Sequence, residues 1–223
     1  MTPRVVVQAI GKSYGRRCVL REVSFTANRG EIVGIIGPNG VGKTTLLRII
    51  AGLARADRGF VRLDGLTTGD PKARCGLGYF AGESTVPPSV RSQSWRRLFQ
   101  EVDAATDDRP VGLLSRGTRQ LLGLRAVFAL PALRLILLDE PWEGLDPDAS
   151  RWLSASMRAR RDSGAALLVS SHRLHDLAGV CDRYVFLDDG VATSTEATAL
   201  TQGGQVSGDA LLAAFDAVRG GVR

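Results

Sequence analysis

Residues 35–53 read IIGPNGVGKTTLLRIIAGL. An apolar run enters a glycine-rich turn and leaves it as a second apolar run at helical spacing, which predicts a strand, a tight loop and a helix. The turn, GPNGVGKT at residues 37–44, fits G-x-x-x-x-G-K-[ST] with the strand before it and helix after it that the motif requires. Gly37, Gly40 and Gly42 let the backbone curl so that its amides point inward at phosphate oxygens. Lys43 then reaches the β and γ phosphates, and the Thr44 hydroxyl is placed for Mg²⁺. A nucleoside triphosphate is the expected ligand, with Gly37, Pro38, Asn39, Gly40, Val41, Gly42, Lys43, Thr44 and Thr45 as its binding loop.

Outward from this loop the chain alternates short apolar strands with amphipathic helices, the pattern of a parallel sheet covered on both faces. VVVQAIGKSYG (5–15) and VSFTANRGEIVGIIG (23–37) read as strands, and GFVRLDG (59–65) and CGLGYF (75–80) as two more. LRLILLD (133–139) and AALLVSS (165–171) read as buried strands, separated by the helix PDASRWLSASMRARRDSG (147–164). RYVFLDDGVAT (183–193) reads as a hairpin, and GDALLAAFDAV (208–218) as a terminal helix.

The apolar strand RLILLDEP (134–141) ends in adjacent carboxylates. Side chains alternate along a strand, so Asp139 and Glu140 are expected to face different ways. One holds magnesium while the other aligns or deprotonates the attacking water, and their order assigns Asp139 to the metal and Glu140 to the base. A second anion site is written in LSRGTRQ (114–120), where a hydroxyl, a glycine and two arginines precede the apolar stretch LLGLRAVFAL. First-turn amides lack partners and the helix dipole favours negative charge there.

Composition bounds the remaining choices. The 223 residues, 44% of them apolar, suit one domain with a substantial core. Net charge is +6, carried almost wholly by arginine, since Lys12, Lys43 and Lys72 are the only lysines. That charge fits nucleic acid, anionic headgroups or an ordinary solvated surface. Cys18, Cys75 and Cys181 form no C-x-x-C pair, which argues for a reducing compartment and small buried side chains rather than disulfides or zinc. The N-terminal apolar run is too short for a signal peptide and no stretch is long enough to span a bilayer, so a cytosolic chain is expected.

GPNGVGKTT, LSRGTRQ, LILLDEPWEGLD and LVSSHRLHD, in that order, resemble the ATP-binding subunit of an ABC transporter, over about Val5 to Thr193. The resemblance implies an α/β fold: a P-loop ATPase core with a mostly parallel sheet, an N-terminal antiparallel β portion and a short inserted helical subdomain. The core is expected over about residues 1–80 and 120–205, the helical subdomain over about 82–120 and a C-terminal helix over about 208–219. It further implies ATP and Mg²⁺ as cofactors, a second ATP-binding subunit and an integral-membrane permease as partners, and a place on the cytoplasmic face of the membrane. No nucleic-acid partner is expected. Tyr14 matches the aromatic that stacks on adenine, His172 the histidine that contacts the γ-phosphate, and Asp146 the loop that reaches across the dimer. Ser115 and Gly117 match the signature that completes the partner's site. Arg116 replaces a signature glycine and either adds charge there or points to solvent.

Gly82 occupies or adjoins the place of a family glutamine that touches magnesium and water and senses the membrane subunit, with Glu83 or Gln93 as substitutes. LS-x-G-x-RQ variants resemble the subfamily serving exporters of drugs, lipids or polymers. The alternative class is an ATPase of the same fold acting on nucleic acid, ribosomes or a protein scaffold, or a weakly active regulatory subunit. A single motif set without heptads favours transport.

Overall fold

The computed structural model describes residues 3–99, 108–201 and 206–221. Among the described residues ten strands form two sheets. β1 (Val5–Tyr14), β2 (Arg17–Ala27), β4 (Arg58–Leu63) and β5 (Leu66–Thr67) make an antiparallel sheet in the order β2-β1-β4-β5. β3 (Ile32–Ile36), β6 (Leu77–Phe80), β7 (Leu135–Asp139), β8 (Ala166–Ser171), β9 (Arg183–Asp188) and β10 (Val191–Glu196) make the second sheet, in the order β10-β9-β3-β8-β7-β6. Only the β9–β10 hairpin is antiparallel in it.

The helices are α1 (Lys43–Ile50), α2 (Ser92–Leu98), α3 (Arg116–Ala129), α4 (Pro147–Asp162), α5 (Leu174–Leu177), α6 (Ala197–Leu200) and α7 (Gly208–Gly221). Alternate residues of the central strands feed two cores. Val33, Ile35, Leu135, Leu137, Ala166 and Leu168 pack with α1 and the antiparallel sheet. Ile32, Ile36, Ile136, Leu138, Leu167 and Val169 pack with residues of α3, α4, α5 and α7. One face of the parallel sheet is therefore covered by helices, while the other shares its cover between α1 and a second sheet.

VSFTANRGEIVGIIG reads as one strand but folds as two. The chain leaves β2 at Ala27, turns through Gly30 at φ +65°, and enters a different sheet as β3. The apolar alternation stops at Ala27 and resumes at Ile32, and the polar stretch Asn28, Arg29, Gly30 and Glu31 between them is the turn signal. The segment inserted between β6 and β7 builds its own small core from Val86, Val111, Leu114 and Leu122, with Trp95 of α2 packed against it.

Candidate nucleotide site

β3 delivers the chain into the phosphate loop and α1 carries it away, so the loop is clamped between two buried elements. Two of its glycines are required by space. A Cβ on Gly37 would lie 2.5 Å from the carbonyl oxygen of Leu187, and Gly42, at φ +116°, would bring one within 2.8 Å of Leu20. Lys43 opens α1 and is 6% exposed. Its Nζ donates to the carbonyls of Gly37 at 2.7 Å and Pro38 at 3.3 Å. The same ammonium stands 3.1 Å from Glu140 Oε1.

Asp139 closes β7, and Glu140 lies beyond the strand at φ +47°. Backbone torsion, rather than alternation along a strand, thus separates the two carboxylates. Left-handed torsions at a non-glycine residue cost about 1–3 kcal/mol and persist only where the surroundings impose them. Here the buried Ser170 on β8 serves both residues: its hydroxyl donates to Asp139 Oδ1 at 2.6 Å and accepts from the Glu140 amide at 3.0 Å. Glu140 Oε2 accepts from the His172 amide at 3.2 Å and faces His172 Nδ1 at 2.9 Å. Glu140 Oε1 is buried and meets Lys43 as an ion pair without hydrogen-bond geometry. Burial pushes the nearby Asp176 carboxyl above its usual range, against the pull of Arg173 and His175, and the charge of Glu140 adds to the rise.

An open cleft of about 370 Å³ gathers Tyr14, Asn39, Gly40, Gly42, Lys43, Thr44, Thr45 and Glu140. Tyr14 is 53% exposed, with the Lys12 ammonium 5.3 Å from its ring centroid. Gly37, Pro38 and Val41 do not line the cleft. Arg17 and Val19 also line the cleft, and Arg17 Nη2 donates to the Gly40 carbonyl at 3.0 Å. Arg17 and Val19 carry no sequence signal, and Ser170 lies within LVSSHRLHD without being singled out by it: β8 brings it beside Asp139 through its pairing with β7. His172 reaches the site through Glu140.

Gly82 follows β6 at φ +68° with open space where a side chain would go. The Thr85 hydroxyl holds this turn, donating to the Gly82 carbonyl at 2.8 Å and accepting from the Ala81 amide at 3.0 Å. The Glu83 side chain lies outside the described residues. Gln93 sits on α2, its amide donating to Asp108 Oδ1 at 3.2 Å, and does not line the cleft.

Ser115 and Gly117 are absent from the cleft's lining. Ser115 is exposed and caps α3, its Oγ accepting from the Thr118 amide at 3.2 Å. Gly117 lies so close to the loop after β7 that a Cβ would come within 2.3 Å of the Gly144 carbonyl oxygen. Arg116 neither points only to solvent nor stands free: its Nη2 pairs with Glu143 Oε2 at 2.8 Å. Asp146 caps α4, accepting from the Ala149 amide at 2.7 Å.

Among the described residues no group of three His, Cys, Asp or Glu side chains forms a metal cage, and no helix is long and apolar enough to cross a membrane. Thr44 and Asp139 offer hard oxygen donors. That donor set suits Mg²⁺, which is held by one or two protein oxygens together with substrate phosphates and water.

Comparison with known proteins matches this arrangement. The family model described as ABC transporter covers residues 20–143. The chain is 34% identical over 214 residues to the lipopolysaccharide export system ATP-binding protein LptB of Acidithiobacillus ferridurans, covering 85% of this chain and 88% of that one. It is 29% identical to the SkfA peptide export ATP-binding protein SkfE of Bacillus subtilis, over 82% of this chain and 85% of that one. A solved ATP-binding subunit of an ABC transporter superposes with a TM-score of 0.77 at 25% identity, covering 89% of this chain and 92% of the other. With a nucleotide loop, a carboxylate pair and a signature turn in one fold, the chain belongs to the ABC transporter family, as an ATP-hydrolysing motor subunit.

Proposed function

We propose that this subunit closes on a second ATP-binding subunit around ATP and passes the resulting motion to a separate integral-membrane permease at the cytoplasmic face of the membrane. Tyr14 stacks on the adenine and the loop from Gly37 to Thr45 cradles the phosphates. Thr44 and Asp139 would hold Mg²⁺, which would supply charge neutralisation on the phosphates. Glu140 is the general base and His172 orients it while contacting the γ-phosphate. Ser115 and Gly117 complete the site of the partner.

The observation that carries this reading is the separation of two phosphate-binding features. The signature turn is exposed and lies off its own chain's cleft, while Lys43 is already satisfied by the loop carbonyls and Glu140. A γ-phosphate competes with Glu140 for Lys43, which turns Glu140 from an ion-pair partner into a free acceptor for the proton of the attacking water. ADP lacks the group that both subunits grip, so hydrolysis loosens the pair. The LS-x-G-x-RQ form of the signature supports an exporter. The curated relatives' names span lipopolysaccharide export, peptide export and ribose import, in keeping with a cargo chosen by the permease.

Glu140→Gln tests the reading. It keeps the shape and removes the base, so turnover stops and the protein shifts from monomer to dimer in ATP but not in ADP, as read by light scattering. Undiminished turnover without that shift overturns the assignment.

A further inference from the structure

Gln120 is 2% exposed, and its side-chain amide donates to two consecutive carbonyls, Glu140 at 3.0 Å and Pro141 at 3.2 Å. Those carbonyls belong to Glu140 itself and to the residue after it, in the stretch where the backbone takes its left-handed turn. Rotating the peptide after Glu140 changes that residue's ψ and, with it, the direction in which the carboxylate is aimed. Both donors of a buried amide are thus spent on the geometry of this one turn.

The rest of the loop rides on the same stretch of α3. Arg116 pairs with Glu143, and Gly117 lies against the carbonyl of Gly144. Residues 116, 117 and 120 therefore hold residues 140–144 from the first turns of the helix that Ser115 caps. We infer that Gln120 is a positioning residue for Glu140 of its own chain. The helix that reads the partner's phosphate through Ser115 thereby also sets the base of its own site. This rests on the assignment of Glu140 as the base.

Gln120→Met keeps length and burial while removing both donors. Turnover falls by about tenfold, the scale expected when one interaction that orients the base is lost, while KM and ATP-dependent dimerisation stay within about twofold of wild type. A purely structural role would lower the melting temperature and move KM and dimerisation together. If the methionine variant does not fold, Gln120→Glu, which keeps the shape and places an acceptor against the same carbonyls, is read instead.

Mixed dimers locate the defect. With Gln120→Met and Ser115→Arg on different chains, both changes fall on the site of the Gln120-variant chain and the other site stays whole. On the same chain they damage both sites. Higher turnover for the different-chain arrangement supports the inference. Equal turnover, or higher turnover for the same-chain arrangement, means that Gln120 does not act on its own Glu140. An active Glu140→Gln sinks the assignment of the base. An inactive Glu140→Gln beside a Gln120→Met of wild-type turnover sinks this inference alone.

Discussion

The ammonium of Lys43 stands 3.1 Å from Oε1 of Glu140, tying the phosphate loop to the end of β7. In the proposed function Lys43 meets the substrate's phosphates and the base at once. Glu140 supplies Lys43 with the negative charge that, in the proposed function, the phosphates of ATP bring.

Lys43→Ala removes that charge and leaves the glycine turn intact. Charge-assisted hydrogen bonds contribute about 1.5–3 kcal/mol each, so ATP affinity should drop by about ten- to a hundredfold. The Glu140 side chain is 21% exposed and can turn toward water, so the melting temperature should fall only slightly. Calorimetry showing ATP binding as tight as wild type contradicts the assignment of the loop.

Gly82→Gln restores a side chain where the family carries one. The site has open space but a left-handed backbone, so stability should fall by about 1–2 kcal/mol. Hydrolysis by the isolated wild-type subunit should lie below the enzyme range of about 1 to 10³ per second, and the glutamine should raise it. A variant that folds, binds ATP and turns over at the wild-type rate removes Gly82 from any account of slow hydrolysis.

The candidate site is legible in the sequence where its residues are contiguous. The loop from Gly37 to Thr45 and the pair Asp139 and Glu140 are short motifs whose residue types follow from phosphate and metal chemistry. What escaped was long-range geometry. Ser170 and Arg17 reach the site through strand pairing; nothing around Arg17 marks it, and the motif LVSSHRLHD that contains Ser170 does not single that residue out. Strand alternation does not give the torsion at Glu140, because β7 ends at Asp139 and the left-handed residue lies beyond it. The sequence does not choose between two roles for Arg116, since its partner Glu143 lies 27 positions along the chain and is brought near by the packing of Gly117 on Gly144.

The cysteines report on the fold itself. Against the expectation of three buried thiols, Cys18 and Cys75 are exposed; Cys181 alone is buried, against the position of Gly34, and burial pushes its thiol far above the usual range. Under native conditions at neutral pH a thiol reagent should therefore label two sites per chain rapidly and the third only after denaturation. Rapid labelling of all three would contradict the packing of α5 and the following turn on β3.

The central claim is that each ATP is held by the phosphate loop of one subunit and the signature of the other. Mixed dimers carrying Lys43→Ala and Ser115→Arg test it most directly, with ATP-dependent dimerisation and single-turnover hydrolysis as readouts. On different chains, the two changes fall on one composite site and leave the second whole, so ATP-bound dimers and one active site are expected. On the same chain, opposite a wild-type partner, they damage both sites, and neither dimer nor hydrolysis is expected. Equal behaviour of the two arrangements would contradict the claim that Ser115 reads the phosphate of its partner.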